Sequence, residues 1–262
     1  MKLPALLVDS YWVFWREMKR LLVQRARIAI AAVQPLIWLI LMGNAMGGLT
    51  ANPTTARLLG TQNYLEFMTP GIMIMSTLFG GVFGGISVIW DRRTGFLNKM
   101  LAAPIKRAAI PVGKITAISL QSVVQVTFIA AIAAAMGVHF ATGVPGFLLL
   151  LCIMILFSYG IAGISLALAS VLRSHEALMA VTNLLTLPMV FASNAIFPRE
   201  AMPTWLKTIA TYNPLTYAIT PLRTLVLEGW VWEKIWPGLL AMGLFAFVAV
   251  MVSARQFARS GA

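Results

Sequence analysis

Six apolar runs, each near the length needed to cross a hydrocarbon core, alternate with short polar segments along the chain. They cover Ile28–Gly48, Phe67–Trp90, Ile115–Val138, Gly146–Leu172, Ala177–Phe197 and Pro237–Ala254. Ahead of them, Leu7, Tyr11, Phe14, Met18 and Leu21 recur at helical spacing, with Trp12 and Trp15 beside them and Asp9, Arg16, Arg20 and Arg27 broadly opposite. A basic face backed by an aromatic apolar face predicts a helix lying in the membrane interface over residues 1–27. In the first run, Gln34-Pro35 predicts a kink, because proline removes a backbone hydrogen bond and crowds the preceding turn. Late in the chain, Pro198, Pro203, Pro214 and Pro221 follow at short intervals and forbid one continuous helix. Irregular backbone at membrane depth is tolerated only where protein or a cavity covers it. The expected fold is therefore all-α and forms one membrane domain over residues 1–262. It has an interfacial helix at 1–27, a six-span bundle over 28–254 and a tail at 255–262.

Composition agrees with this pattern. Hydrophobic residues make up 60% of the 262 positions and charged ones 11%, against about 45–50% and about 25% in soluble domains. The net charge of +12 suggests a nucleic-acid partner only until its distribution is seen. Fifteen of the 20 Lys and Arg fall in segments that the six-span topology places in the cytoplasm, none of them forming a stripe beside aromatics. That is the positive-inside pattern, with both termini cytoplasmic, and it argues against nucleic acid. Trp205, Tyr212, Tyr217, Trp230, Trp232 and Trp236 suit the outer interface. Residues 1–27 carry too many charges for a secretory leader and are expected to stay in the mature chain.

Several chemistries are disfavoured. Cys152 is the only cysteine, so no internal disulfide can form, and it reads as a small buried hydrophobe. His139 and His175 stand alone, without the clustered ligands of a metal site. No acid or base falls mid-span, whereas proton- and ion-coupled carriers use such residues as relays. No Ser-His-Asp set supports a membrane-embedded enzyme. The phosphate-cradling pattern GxxxxGK[ST] is absent, so no nucleotide cofactor is expected in this chain.

The charged island from Asp91 to Lys114 holds Arg92, Arg93, Lys99, Lys106, Arg107 and Lys114 against the single acid Asp91. Its first half predicts a short amphipathic helix, with Phe96, Leu97, Met100 and Leu101 on one side, Arg93, Asn98 and Lys99 on the other, and Pro104 as the stop. Periodicity leaves two roles open: a loop that merely orients the protein, or a docking element that takes force from a cytoplasmic partner. Gly80, Gly81, Gly84 and Gly85 form overlapping small-xxx-small pairs and predict close helix packing. Gln121 and Gln125 share one helix face with Ser122 and Thr127 nearby, where hydrogen bonding to neighbouring helices is the plainer role and a substrate path the lesser one.

Two stretches carry a resemblance. The order acid, basic residues, Gly95, apolar pair, Ala-Pro, basic residue and Gly113-Lys114 resembles the first cytoplasmic loop of type-2 ATP-binding-cassette permeases. Leu187–Arg223, with its Phe-Pro end, Met-Pro-x-Trp-Leu turn and Asn-Pro-Leu-Thr-Tyr, is similar to that family's most recognisable region. Asn98-Lys99-Met100 and Asn194 depart modestly from the family pattern.

The resemblance covers nearly the whole chain. It implies a connecting helix at the N-terminus, a coupling helix in the first loop and two half-helices dipping into the outer leaflet before the last span. It also implies a membrane subunit of an exporter in the inner (plasma) membrane, assembled as two permease copies with two separate ATPase subunits that bind ATP and magnesium. Carried onto this chain, the ATPase contact becomes Asp91, Arg92, Arg93, Thr94, Gly95, Phe96, Leu97, Asn98, Lys99, Met100 and Leu101, with Arg173, His175 and Glu176 as a second contact. Candidate path residues are Asn44, Thr77, Asn183, Thr186 and Asn194. The uncharged spans suit an amphiphile such as a drug, antibiotic or lipid-like molecule, with a cell-surface polysaccharide or lipid-linked glycan as the alternative. A pore or carrier independent of ATP is the rival of another class.

Overall fold

The computed structural model describes residues 3–23, 25–172, 174–195, 198–199 and 202–259. Among them the regular structure is entirely helical: α1 (Leu3–Val23), α2 (Arg25–Met46), α3 (Pro53–Leu59), α4 (Tyr64–Gly84), α5 (Ile86–Arg93), α6 (Phe96–Ala102), α7 (Ala109–Ala135), α8 (Gly143–Val171), α9 (His175–Phe191), α10 (Thr204–Tyr212), α11 (Pro214–Leu227) and α12 (Trp232–Arg259), with a short 3₁₀ turn at Gly47–Ala51.

Local chemistry sets the boundaries. Asn52, Asn63 and Asn213 each accept a hydrogen bond from the backbone N–H two residues on, opening α3, α4 and α11, and Ser174 accepts from Ala177 to open α9. Pro53 and Pro214 occupy the first turns of their helices, where a missing N–H costs nothing. Pro35 stands inside α2, which runs on through it as a single helix.

Among the described residues, four helical stretches are long and apolar enough to cross a membrane: Pro53–Arg93 (which takes in α3, α4 and α5), α7, α8 and α12. The apolar part of α2, Val33–Met46, and α9 are shorter. At 27 to 29 residues, α7, α8 and α12 each extend for about 40 Å, enough for a bilayer core with tilt.

α8 is the centre of the bundle, with α4, α7, α11 and α12 packed around it. Its Ile153, Met154, Phe157 and Leu166 are fully enclosed. Within lipid, apolar surface alone does not drive helices together; close van der Waals packing does. Accordingly a Cβ at Gly163 would stand 2.9 Å from the Ala249 backbone, so α8 and α12 touch through small residues. Ser119 and Ser122 of α7 bond to Ser158 of α8, and Thr116 to Tyr159, adding polar ties between the same helices. α2 and α9 are held more loosely at the edge.

The second apolar run is broken at Gly85. The Ser165 hydroxyl accepts the Gly85 N–H at 3.1 Å and donates to the Val82 carbonyl at 2.5 Å, so a side chain from α8 enters the backbone ladder there. A Cβ at Gly85 would lie 2.6 Å from the Ser165 carbonyl oxygen. Gly81 and Gly84 likewise face Ile161 and Ile118 at close range. Gly80 differs from the packing expectation: its Cβ position meets only Ser122 Oγ at 3.7 Å and borders open space.

One further expectation is corrected. Cys152 is exposed on the outward side of α8 rather than buried. In α1 the two faces are separate as expected: Arg16 and Glu17 turn inward, while Tyr11, Trp12 and Trp15 are 41–63% exposed. α1 crosses α7 in backbone contact, since a Cβ at Gly113 would stand 2.6 Å from the Ser10 carbonyl oxygen.

Candidate functional site

The predicted amphipathic helix exists as α6. Gly95, with φ of 70°, turns the chain out of α5, and Ala103, in extended conformation before Pro104, ends it. Leu97 and Met100 are buried with Ile110 and Ile115 of α7, Leu166 of α8, Leu178 of α9 and Phe257 of α12. Leu97 and Met100 thus anchor one face of α6 in a cluster shared with α5, α7, α8, α9 and α12, and Asn98 and Lys99 are exposed on the other. A displacement of α6 would therefore be felt first by α5, to which it is joined, and by the cluster that encloses Leu97 and Met100.

The residues flanking α6 tie it down. Asp91, only 3% exposed at its side chain, receives Lys114 at 2.6 Å and the Arg16 guanidinium at 2.9 and 3.2 Å, with Arg20 at 3.5 Å. Lys114, 1% exposed, also reaches Glu17 at 2.8 Å and Ser87 at 3.3 Å. Arg16 bonds Glu17 at 2.8 Å and lies 3.7 Å above the Phe96 ring. Two carboxylates and three cations from α1, α5 and α7 are thus gathered into one cluster at the root of α6. Buried charge is tolerable when paired as Asp91 and Lys114 are, and removing one partner typically costs about 3–5 kcal/mol.

Other basic residues of the island close helix ends. Arg92 donates to the carbonyls of Leu172 and Ser170, both at 2.9 Å, at the C-terminus of α8. Arg107 donates to Ala258 at the end of α12. Cations in these places meet orphan carbonyls and the negative end of the helix dipole.

The predicted contact residues therefore divide. Asp91, Arg92, Leu97 and Met100 face the protein, and Gly95, Phe96 and Leu101 are half-buried, whereas Arg93, Thr94, Asn98 and Lys99 are exposed. Glu176 is exposed and His175 half-buried at the start of α9, which packs on α5, so the second predicted contact is brought beside the first. Arg173 lies outside the described residues.

Beside the cluster opens a groove of about 1130 Å³ between α1, α2, α4, α7 and α9. Its walls are apolar, including Trp38, Met75, Phe79 and Phe83, with Ser76, Gln121 and Gln125 along its length. Glu17, Arg20, Ser87 and Lys114 form one end, and Leu58, Leu59 and Tyr64 the other. Of the five candidate path residues, Thr186 alone lines it. Asn44 and Asn183 are exposed on the outer sides of α2 and α9. Thr77 is fully buried and donates to the Met73 carbonyl of its own helix, and Asn194 donates to Thr220 of α11. Gln121 and Gln125, whose path role was the lesser reading, belong to the groove. Their four-residue spacing was the visible signal. Nothing in the sequence marks Arg16, Glu17, Arg20 and Lys114 as one site, because their mutual contacts join helices far apart in the chain.

The proline-rich stretch folds as expected into separate pieces. Asn213, besides capping α11, donates to the carbonyls of Met189 at 2.7 Å and Ala192 at 2.9 Å, closing the end of α9. Arg223 donates to the Ala195 carbonyl and stacks 3.8 Å from the ring of Phe67 on α4.

The described residues thus form a helical bundle with several apolar helices, a short two-faced helix rooted in a charge cluster and an apolar groove beside it, an arrangement that fits a multi-pass membrane protein. Residues 10–227 match the family described as ABC-2 type transporter, and the chain belongs to that family. It is similar to the putative transport permease ycf38 of Cyanophora paradoxa, with 36% identity over 79% of this chain and 71% of that protein. It is also similar to the daunorubicin resistance ABC transporter permease protein DrrB1 of Streptomyces coeruleorubidus, with 24% identity over 81% of this chain and 72% of that one. The probable doxorubicin resistance ABC transporter permease protein DrrC of Mycobacterium tuberculosis is 21% identical over 81% of this chain and 76% of its own length. The chain is thus an ABC transporter membrane subunit, of a family that works with ABC ATPase partners and is not itself catalytic.

Proposed function

We propose that this chain is the permease of an ATP-driven exporter that moves an amphiphile outward across the inner membrane, with six spans and both termini in the cytoplasm. ATP and magnesium bind to a separate ATPase subunit, two copies of which act on two permease copies. ATP-driven closure of the ATPase pair pushes on α6, and the push passes to α7, α8, α9 and α12 through Leu97 and Met100. The single observation that carries this reading is the two-faced α6, its inner face buried in a cluster shared with α5, α7, α8, α9 and α12 and its outer face exposed. Arg93, Asn98, Lys99 and Glu176 form the ATPase contact, and α10 and α11 are the half-helices of the outer leaflet. The predominantly apolar groove supports an amphiphilic cargo, as do relatives named for daunorubicin and doxorubicin resistance.

The test is to identify what co-purifies with the tagged chain from its native membrane in mild detergent. A stoichiometric ATPase bearing a phosphate-binding loop is the expected result. A chain that purifies alone even after crosslinking points instead to an ATP-independent carrier or pore. The topology is checked by cysteines placed at Thr204 and Arg259, which should label from opposite sides of the membrane.

A further inference from the structure

The groove and the charge cluster share side chains. Glu17, Arg20 and Lys114 line the groove's end and also belong to the network around Asp91. Three cations, Arg16, Arg20 and Lys114, face two carboxylates, Glu17 and Asp91, so one positive charge is left over. Arg20 holds that surplus in the most accessible form. Its side chain is 35% exposed and its approach to Asp91 is the longest in the cluster at 3.5 Å, while Lys114 is enclosed and bonded on both sides. Beyond this charged end the walls are apolar along α4 and α7, and from Lys114 to Gln125 the groove follows α7 for about 16 Å. Its volume of about 1130 Å³ exceeds the roughly 300–1,000 Å³ of pockets that take drug-sized ligands. α1 sets the level of the charged end: its outward Tyr11, Trp12 and Trp15 suit a headgroup interface.

We infer that the groove is a binding site for an anionic phospholipid, with the headgroup phosphate paired to Arg20 and the acyl chains lying between α2, α4 and α7. Its assignment to the inner leaflet rests on the orientation proposed above; the binding itself does not. The phosphate neutralises the surplus cation without disturbing the Lys114–Asp91 pair, and the apolar walls formed by Met75, Phe79 and Phe83 take the acyl chains. Because Arg20 also faces Asp91 at the root of α6, the lipid's charge acts on the segment that seats the lever.

The test uses the purified full chain in vesicles of unlabelled phosphatidylcholine, doped with brominated phosphatidylglycerol or, at equal fraction, with brominated phosphatidylcholine. Bromine quenches tryptophan on contact, and the signal of the groove residue Trp38 is taken as the difference between the chain and its Trp38→Phe variant. The expected result is half-quenching at about fivefold less phosphatidylglycerol than phosphatidylcholine, the advantage of one cation near a membrane surface. Arg20→Gln removes that preference and Arg20→Lys keeps it. Gly80→Phe fills the groove, where a side chain has room to start, and also removes the preference. Equal quenching by the two lipids overturns the inference, as does a preference that survives Arg20→Gln. A preference that survives Gly80→Phe overturns it too, by placing the lipid on the outer surface. Should Arg20→Gln not fold, Arg20→Lys and Gly80→Phe still decide. None of these outcomes depends on an ATPase, so failure here is distinct from failure of the transport reading.

Discussion

At the Asp91 end of the bundle the helices are tied by full charges: Asp91 and Glu17 against Lys114, Arg16 and Arg20, with Arg92 closing α8 and Arg107 closing α12. At the Asn213 end the ties are mostly neutral. Asn213 holds the end of α9 and the start of α11, Asn194 reaches Thr220, and Thr142 donates to the Leu225 carbonyl. The charged exceptions include Arg223, bonded to the Ala195 carbonyl over Phe67, Arg199, bonded to Thr211, and the exposed Lys234–Glu228 pair. Neutral amide bonds suit chain breaks that must be closed locally, since each satisfies a specific orphan carbonyl or N–H. A charge cluster does something else. Its members come from three helices, and displacing one leaves the others unbalanced, so α1, α5 and α7 are constrained to move together. That is the property the proposed coupling requires of the end that would receive a push.

The sharpest way to break the comparison is Asp91→Ala, which leaves Lys114, Arg16 and Arg20 facing Glu17 alone. We expect a loss of about 3–5 kcal/mol, seen as a fall of about 10 °C in the detergent-solubilised melting temperature. The double variant Asp91→Ala/Lys114→Ala should lose less than the two single losses added together, because the partners act as one unit. At the opposite end Asn213→Ala removes a cap and two carbonyl bonds, for an expected loss of about 2 kcal/mol by the same assay. Asn213→Asp should not rescue it, because a carboxylate keeps the cap yet faces two carbonyl oxygens it cannot bond.

A smaller effect separates the glycines of one run. Gly85→Ala forces a methyl group against the Ser165 carbonyl and should cost about 1–3 kcal/mol, whereas Gly80→Ala should change stability by under about 0.5 kcal/mol in either direction. Equal effects at the two positions would mean that the groove beside Gly80 is closed in the folded protein.

Much of this architecture is legible in the residues. The apolar runs locate the principal helices, prolines and asparagines mark where the Leu187–Arg223 stretch breaks, and the spacing from Phe96 to Leu101 shows the two faces of α6. What is not legible is long-range pairing. An amphipathic pattern separates the faces of α1 but does not say which environment each meets. Only the approach of Asp91 and Lys114 makes its charged face a docking face. Polar residues within spans pose the same difficulty. Thr77 satisfies itself on its own helix and Asn194 reaches across to α11, while Gln121 and Gln125 border the groove; nothing in their types distinguishes these roles. The break at Gly85 depends on a serine eighty residues away.

The central claim, that the outer face of α6 meets a separate ATPase, is tested most directly by photo-crosslinking from single positions along α6 in the native membrane. Probes at Asn98 and Lys99 should capture a protein bearing a phosphate-binding loop, while probes at Leu97 and Met100 should crosslink only within this chain. Capture of the ATPase from Leu97 or Met100 instead, or of no ATPase from Asn98 or Lys99, would contradict the account.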